Sequence, residues 1–461
     1  MGIQKLSRID KFIKNPHRAV WQMAIPIMLG MSVQILYGIV DMAFVGRISG
    51  DAIAAITFNM PLVFLFIGLT FGLGAGVTSV VARFLGNNDK KSAENAAEHS
   101  ILLGVFLGIV IPIISIVFAR HIFELLGAPA HIVPLAIKYF RIIALGFVFN
   151  ILNIFFRSIM TGEGNTKTPM LFRAVGTVIN IILDPILIFG LKLGIAGAAL
   201  ASIIGQFCVT LIFIYYIFIK KRLFLQFHFS FFQFSTSILK KILSVGVPAS
   251  LSMIIMSFGA MLYNWLLVTF GSNAVAGYGV SRHLIHIYFL PIMSLGNSMV
   301  TLSGMFYGRG KVYLIRKTLL YAISRGEIIS VVLGITFYFL SPVLLNIFTN
   351  NKEIISVGVQ YIRYTVFVFP FITIGMISGR TFQGIGKGWP SLLTTSLRVV
   401  IITIPLAYFF IKIMDFPIEY IWISQIISTI ISAVVAGIWI LITLRKLEVV
   451  SSQRQRDAEK D

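Results

Sequence analysis

The strongest constraint on this 461-residue chain is a series of apolar runs, each about 20 residues long, that recur along its length. A run of that length matches a helix that crosses the hydrocarbon core of a bilayer. Barrel strands would instead give shorter segments of alternating polarity. Only 12% of the residues are charged and 57% are hydrophobic, whereas a soluble domain is about 25% charged. The chain is therefore predicted to be an all-α integral membrane protein.

The apolar runs predict twelve transmembrane helices. Their boundaries are 18–44, 52–81, 95–119, 132–156, 168–190, 194–219, 241–268, 274–304, 316–340, 354–379, 390–411 and 418–444. An even number of spans places both termini on the same side of the membrane.

The net charge of +21 is distributed as expected for a membrane protein. Lys and Arg are concentrated before the first span, in the even-numbered connections and in the tail, which predicts that these segments are cytoplasmic. We therefore expect a multi-pass protein of the plasma (inner) membrane with both termini in the cytoplasm. The basic segments should contact anionic lipid rather than nucleic acid. Cys208 is the only cysteine, so no intramolecular disulfide can form.

The second half of the sequence repeats the first at a nearly constant offset. Pro26 corresponds to Pro248, an offset of 222 (248 − 26), and Tyr139 corresponds to Tyr361 at the same offset. Six spans per half give parallel repeats, which are related by an axis along the membrane normal. We expect an N-terminal lobe (1–219), a cytoplasmic linker (220–240) and a C-terminal lobe with a basic tail (241–461), the lobes surrounding a central cleft. Because the duplication supplies an internal partner, we expect a monomer.

Two carboxylates lie inside predicted spans, and only in the first half. Asp41 aligns with Tyr263, and Asp184 aligns with Leu406. A charged residue at the bilayer centre costs about 2.5–3.5 kcal/mol on insertion scales, and such residues usually mark a functional site. The second lobe lacks both carboxylates, which favours ion binding in the N-terminal lobe over a structural role.

On the first span, Gln34, Tyr37 and Asp41 fall at i, i+3 and i+7 and share one helix face. Pro26 lies nearer the cytoplasmic end and should free the carbonyl of Gln22. The sequence leaves open whether Pro26 forms a static kink or a bending hinge.

On the fifth span, Asn180 and Asp184 are four residues apart and Pro185 follows directly, which predicts a second bend or hinge. On the sixth span, Ala198 and Ser202 are also four residues apart. A hydroxyl, a carboxamide and backbone carbonyls are hard oxygen ligands that suit a small cation. Ser202 could equally be a small residue that allows close helix packing.

Two neighbouring buried carboxylates cannot cheaply both be ionised. The pair therefore requires a proton, a sodium ion or a cationic substrate, and Na⁺ would bind at Asp41, Asn180 and Asp184. The choice between H⁺ and Na⁺ stays open. The sequence lacks a GxxxxGK[ST] loop and the HExxH and GxSxG motifs, so we expect neither ATP-driven transport nor enzymatic activity, and no cofactor.

Further polar and soft side chains could line a substrate cavity: Gln34, Tyr37, Met31, Tyr139 and Asn153. Core packing is the alternative for Met31 and Tyr139, and helix bridging is the alternative for Asn153. Arg157 is expected at the cytoplasmic boundary. The second lobe carries Arg282, His283, His286, Arg325 and Glu327, which could form a charge network or, for the histidines, a metal pair.

Three segments together resemble the multidrug and toxic compound extrusion (MATE) family, in particular its DinF-like branch. They are the run from Pro26 through Tyr37 and Asp41 to Gly46, the connection Gly162-Glu163-Gly164-Asn165-Thr166, and the set Asn180, Asp184 and Pro185. The likeness covers both predicted lobes.

The resemblance implies twelve helices in two lobes and secondary active export of organic cations or amphiphilic compounds, driven by inward H⁺ or Na⁺ flow. It also implies a cation site at Asp41 and Asp184, with Asn180 beside them and Ser202 where relatives commonly have threonine. Arg157 and Arg173 depart from the neutral residues of some relatives. Lipid-linked oligosaccharide flippases belong to the same superfamily and form the alternative; they would require a basic cavity containing Arg157 and Arg282.

Overall fold

A computed structural model of the chain describes residues 8–229 and 232–458, and the regular structure within those ranges is helical. The first half contains α1 (Arg8–Lys14), α2 (Pro16–Val45), α3 (Gly50–Gly86), α4 (Lys90–Leu125), α5 (Val133–Leu145), α6 (Phe147–Gly162), α7 (Lys167–Pro185) and α8 (Ile195–Ile214). The second half contains α9 (Thr236–Leu267), α10 (Ser272–Gly308), α11 (Val312–Asn346), α12 (Lys352–Val366), α13 (Phe369–Gly384), α14 (Trp389–Ser396), α15 (Thr403–Tyr408) and α16 (Glu419–Ala458).

Four π-helical segments extend these helices. Ile186–Gly190 follows α7, Tyr215–Ile219 follows α8, Leu397–Ile402 joins α14 to α15, and Phe409–Ile413 follows α15.

The helices confirm the predicted number of spans. Ten are long and apolar enough to cross a membrane, and two bent pairs bring the number in the described ranges to twelve. The bent pairs are α5 with α6, at 41°, and α12 with α13, at 58°. Gly146 and Val368, which border the two bends, are themselves related by the repeat offset (368 − 146 = 222). The fourth span of each half is therefore bent at the same position.

The two halves meet along a seam of small residues formed mainly by α3 against α9 and α10. A Cβ added to Gly72 would lie 2.1 Å from the backbone nitrogen of Ser250, and one added to Gly76 would lie 2.4 Å from the carbonyl oxygen of Ile242. The Ser250 hydroxyl donates to the Leu69 carbonyl at 2.8 Å, and the Ser79 hydroxyl donates to the Gln383 carbonyl at 2.6 Å. The seam continues to the ends of α3 and α10, where a Cβ on Gly86 would lie 2.3 Å from the Met305 carbonyl oxygen and one on Gly308 would lie 2.1 Å from the Arg83 carbonyl oxygen. The lobes are thus joined at the end of the bundle that carries the Lys- and Arg-rich connections.

The segment between the lobes is bound to the first half through its backbone. Carboxylates of Glu163, Glu94 and Glu98 accept the N–H groups of Leu225, Gln226 and His228 at 2.7–2.8 Å. Glu163 lies in the connection between α6 and α7 and is 6% exposed. Burial raises the pKa of its carboxyl to about 7, although the backbone hydrogen bond from Leu225 opposes that shift. The segment between the lobes is therefore fixed to the first lobe at the start of α4 and at the α6–α7 connection.

Candidate functional site

The helices α2, α7 and α8 bring the predicted polar residues of the first half together. Small residues allow α7 and α8 to approach closely: a Cβ on Gly205 would lie 3.1 Å from the Gly176 carbonyl oxygen and 3.4 Å from the Asn180 Cβ. Gly197 similarly faces the backbone of Leu187 in the π-helical segment after α7. This approach places Ser202 of α8 against Asn180.

A short hydrogen-bond chain links the three helices. The Tyr37 and Ser202 hydroxyls are 2.8 Å apart. In the amide orientation that satisfies both neighbours, Asn180 donates to Asp184 Oδ2 at 3.0 Å and accepts from the Ser202 N–H at 3.0 Å. One connected set of hydrogen bonds therefore joins α2, α8 and α7, and it consists of Tyr37, Ser202, Asn180 and Asp184.

Each carboxylate keeps one oxygen without a hydrogen-bond partner among the described residues. These buried atoms are Asp41 Oδ1 and Asp184 Oδ1, and the Asp184 side chain is fully buried. The two carboxylates are near enough to repel each other electrostatically. The charges of both carboxylates also interact electrostatically with the hydroxyls of Tyr37 and Tyr139. A buried polar atom that lacks a partner is costly, so these oxygens favour a bound proton or cation.

The donor set fits a hard cation as well as a proton. It supplies two carboxylates, one amide oxygen and two hydroxyls, which are the ligand types that small hard cations prefer. Groups of three or more His, Cys, Asp or Glu side chains able to hold a metal are absent from the described ranges, so the oxygen ligands beyond the aspartates would come from Asn180, Ser202 or water.

The other predicted residues are divided between this cluster and neighbouring surfaces. Tyr139 of α5 lies near enough to both carboxylates for their charges to act on its hydroxyl, and Ala198 is buried one turn before Ser202. Gln34 is partly buried on α2. Met31 instead lines a cavity nearer the start of α2. Asn153 bridges helices: its amide donates to the Gln206 carbonyl at 2.9 Å and accepts from the Thr210 hydroxyl at 3.0 Å.

The two prolines act differently on their helices. α2 continues through Pro26, and the freed carbonyl of Gln22 accepts a long hydrogen bond, 3.5 Å, from the Thr166 hydroxyl. Pro185 ends α7, and the helix continues as the π-helical segment Ile186–Gly190. Pro185 thus marks the change from α-helix to π-helix directly after Asp184. Pro26 instead frees the Gln22 carbonyl, which accepts its hydrogen bond from Thr166 in the α6–α7 connection.

The equivalent region of the second half is aromatic. Tyr263, which aligns with Asp41, is buried and donates to Gln425 Oε1 at 3.1 Å. Its ring packs against Tyr278 and Trp422, with centroids 5.2 and 6.0 Å apart. Bulky neutral groups occupy the position that a carboxylate holds in the first half.

Among the predicted polar residues of the second half, Arg282 lies close to the hydroxyl of Tyr278, the aromatic neighbour of Tyr263. Arg282, His283 and His286 are exposed on α10. On α11, the Arg325 guanidinium lies over the Tyr321 ring at 5.2 Å, and Glu327 Oε1 is buried without a partner among the described residues.

Arg157, which the sequence predicts at the cytoplasmic boundary, lines a cavity between the halves together with two other arginines. Arg157, Arg173 and Arg380 come from α6, α7 and α13. The sequence carried one signal for this arrangement: Arg380 lies one residue beyond the repeat position of Arg157 (157 + 222 = 379). A second cavity shares Arg380 and Phe71 with the first and adds Arg398.

Comparisons with known proteins are consistent over nearly the whole chain. A protein-family model described as MatE matches residues 26–186 and 248–409, two segments whose starts differ by 222 residues (248 − 26). The multidrug export protein MepA of Staphylococcus aureus (strain MSSA476) is 28% identical over 397 residues, which cover 85% of this chain and 87% of that protein.

Two solved structures superpose closely. A MOP superfamily transporter from Pyrococcus furiosus gives a TM-score of 0.92 at 30% identity, covering 96% of this chain and 100% of that one. The reverse polarity of that transporter's binding pocket suggests a different function for it. An outward-facing multidrug resistance transporter gives the same TM-score, 0.92, at 30% identity and with the same coverage, 96% and 100%.

Proposed function

The chain belongs to the MATE family of transporters, and on that premise we propose that it is a secondary active multidrug efflux antiporter. It exports organic cations or amphiphilic compounds by alternating access, driven by inward flow of H⁺ or Na⁺. The observation that carries this proposal is the pair Asp41 and Asp184, each with a buried oxygen that lacks a partner among the described residues. The DinF-like branch is part of the same proposal.

The carboxylate pair links ion binding to release of the substrate. Because the two carboxylates repel each other, the pair favours one bound proton, one Na⁺ or one cationic group over none. Tyr37, Asn180 and Ser202 connect the pair to three helices, so a change in its occupancy can act on their packing. Competition between ion and substrate for the pair would then couple the two flows.

The membrane potential can supply the energy without ATP. One elementary charge that crosses 100 mV provides about 2.3 kcal/mol. At 1.36 kcal/mol per tenfold, that energy supports a gradient of about fiftyfold for each charge moved.

The seam between the lobes supports the alternating-access part of the proposal. Close contacts at Gly86 and Gly308 join the lobes at the end with the basic connections, which we place in the cytoplasm. The state described here would then be closed to the cytoplasm. We propose that lobes 1–219 and 241–461, joined by 220–240, rock about this seam in a monomer of the plasma membrane.

A lipid-linked oligosaccharide flippase is the second candidate, and one observation favours it. Arg157 lies in a cavity between the halves together with two other arginines. Arg282, which the same hypothesis would place there, is exposed on α10 and is not among the residues that line either cavity described above.

Uptake of ethidium into proteoliposomes tests the antiporter. Protein inserted inside-out would receive an outward gradient of H⁺ or of Na⁺ in separate experiments, and we expect uptake with one of them. Asp41→Asn and Asp184→Asn should remove gradient-dependent uptake while the protein stays folded. Asp415→Asn is the control, since Asp415 is exposed and its φ of +54° suits asparagine.

The outcomes separate the two candidates. Gradient-dependent uptake by Asp41→Asn at the wild-type rate would refute the role of the pair. If folded wild-type protein takes up no ethidium under either gradient, the flippase becomes the better candidate.

A further inference from the structure

The cavity that contains Arg157, Arg173 and Arg380 has an unusual charge for the interior of a membrane protein. Its arginines come from both halves, two from the first and one from the second. All three are partly buried, and none belongs to the exposed surface. The space between the lining residues, including the open mouth of the cavity, is about 760 Å³.

None of these arginines has a carboxylate partner in the part of the chain that the structure describes. The ion pairs found there are Lys90–Glu94, Arg120–Glu124, Arg309–Asp10 and Arg316–Glu448. The Arg157 guanidinium lies over the Phe71 ring at 4.9 Å, and Arg380 donates to the Gln383 amide oxygen at 3.0 Å. These contacts orient the guanidinium groups without neutralising them.

The positive charges also act on one another. Arg157 lies close enough to Arg173 to repel it. Buried charges in proteins are usually paired or hydrogen-bonded to an ionised group. A cluster of like charges without a counter-charge in the described protein is therefore suited to an anionic ligand.

The carboxylates of the first half do not neutralise the cluster. Arg173 and Asp184 are eleven residues apart on α7, which corresponds to about 16 Å along the helix. Eleven residues are close to three full turns, so both side chains lie on nearly the same helix face. The anionic and cationic positions are thus two separate sites along one helix.

The remaining walls of the cavity are mainly apolar. Pro26, Ile27, Met31 and Met170 line it beside the arginines, together with the Phe71 ring. Methionine side chains adapt to irregular apolar ligands. The lining therefore suits a molecule that has an apolar body as well as an anionic group.

We propose that Arg157, Arg173 and Arg380 form a binding site for the oxyanion group, phosphate or sulfonate in type, of an amphiphilic molecule. The planar guanidinium group donates two parallel hydrogen bonds to such oxygens, which makes arginine better suited than lysine to bind them. The proposal rests on the transport function above and names a second substrate class for it. The oxyanion belongs either to a lipid headgroup or to a soluble amphiphile.

Binding measured on purified full-length protein tests the proposal without any gradient. The probe is n-hexyl phosphate, with n-hexyltrimethylammonium as the cation of matched chain length and inorganic phosphate as the bare anion. Isothermal titration in a nonionic detergent gives the dissociation constants. We expect hexyl phosphate to bind more tightly than either comparison ligand, and its binding to weaken as salt is raised.

Substitutions then locate the site. Arg173→Gln and Arg157→Gln should each weaken hexyl phosphate binding by about tenfold, since each removes charge-assisted hydrogen bonds. Arg173→Lys keeps the charge but loses the paired geometry, so it should weaken binding less. Arg325→Gln is the control, because it removes one charge from an exposed arginine outside the cavity. Removing like-charge repulsion should leave the folded state intact, which monodisperse elution would verify.

Competition with lipid distinguishes the two sources of the oxyanion. Displacement of hexyl phosphate by phosphatidylglycerol but not by phosphatidylcholine assigns the site to a lipid headgroup. Displacement by neither assigns it to a soluble amphiphile. Equal hexyl phosphate affinity in wild type, Arg157→Gln and Arg173→Gln would overturn the proposal. If the wild-type protein binds hexyl phosphate but transports no ethidium, the result would contradict the proposed antiporter and not the proposed oxyanion site.

Discussion

Gly72→Ala should shift the protein away from the state in which the two lobes are joined at the seam. The added Cβ would lie 2.1 Å from the backbone nitrogen of Ser250, whereas ordinary contact begins at 3.4 Å. The backbones of α3 and α9 would have to separate by about 1.3 Å (3.4 − 2.1) to make room. That separation would also stretch the 2.8 Å hydrogen bond from the Ser250 hydroxyl to the Leu69 carbonyl.

The size of the effect follows from packing. Overpacking a tight contact costs about 1–3 kcal/mol. Alanine gains about 1 kcal/mol over glycine in a helix interior, but that gain is the same in every state that keeps α3 helical. The seam-closed state should therefore lose about 1–3 kcal/mol relative to other states, which changes its population ratio by about 5- to 150-fold.

Labelling of a cysteine placed in the seam measures this change. Cys208 is the only cysteine, so Ser79→Cys in a Cys208→Ser background gives one reporter at a fully buried position. We expect Gly72→Ala to raise its rate of reaction with a membrane-impermeant maleimide at least about fivefold. Gly279→Ala is the matched control, because its Cβ would meet nothing within 4 Å. An unchanged rate in folded Gly72→Ala would refute the argument.

Two further predictions concern single side chains. Burial gives Glu163 a folded-state pKa of about 7, against an ordinary value of 4.5. Folding stability should therefore fall as pH rises from 4.5 to 7, by up to about 3 kcal/mol (2.5 × 1.36). Glu163→Gln should therefore raise the thermal midpoint at pH 8 but not at pH 4.5; an equal gain at both values would contradict this. Tyr37→Phe removes the 2.8 Å contact with Ser202 and should cost about 1 kcal/mol. It should also reduce ethidium uptake without abolishing it, and complete loss would mean that the Tyr37 hydroxyl is itself essential to coupling.

Hydropathy predicted the number of spans but not their internal shape. The runs 132–156 and 354–379 were expected to be single helices, and the structure bends each, by 41° and 58°. A hydropathy window measures length and composition, and it does not detect a change of direction between two apolar helices. The glycine at 146 was a local signal for one bend, but its counterpart Val368 gives none.

The carboxylate cluster could be predicted because its members occur at helical spacings. Asn180 and Asp184 are one turn apart, and the structure joins them in one hydrogen-bond chain that also includes Tyr37 and Ser202. The arginine cavity could not be predicted in the same way. An arginine near the end of a span fits the positive-inside pattern whether it faces water or a cavity, and only the packing of α6, α7 and α13 distinguishes the two.

Movement of the lobes should change the distances within the arginine site more than those within the aspartate pair, because only the arginine site contains residues from both halves. Asp41 and Asp184 both lie in the first half, so the distance between them depends on the packing of α2 against α7. Arg157 and Arg173 also lie in the first half, but Arg380 lies in the second. Rocking of one lobe against the other must therefore change the separation of Arg380 from the other two arginines. An oxyanion held by all three would be bound tightly in only one arrangement of the lobes, since a ligand shifts a conformational equilibrium only through its different affinities for the two states.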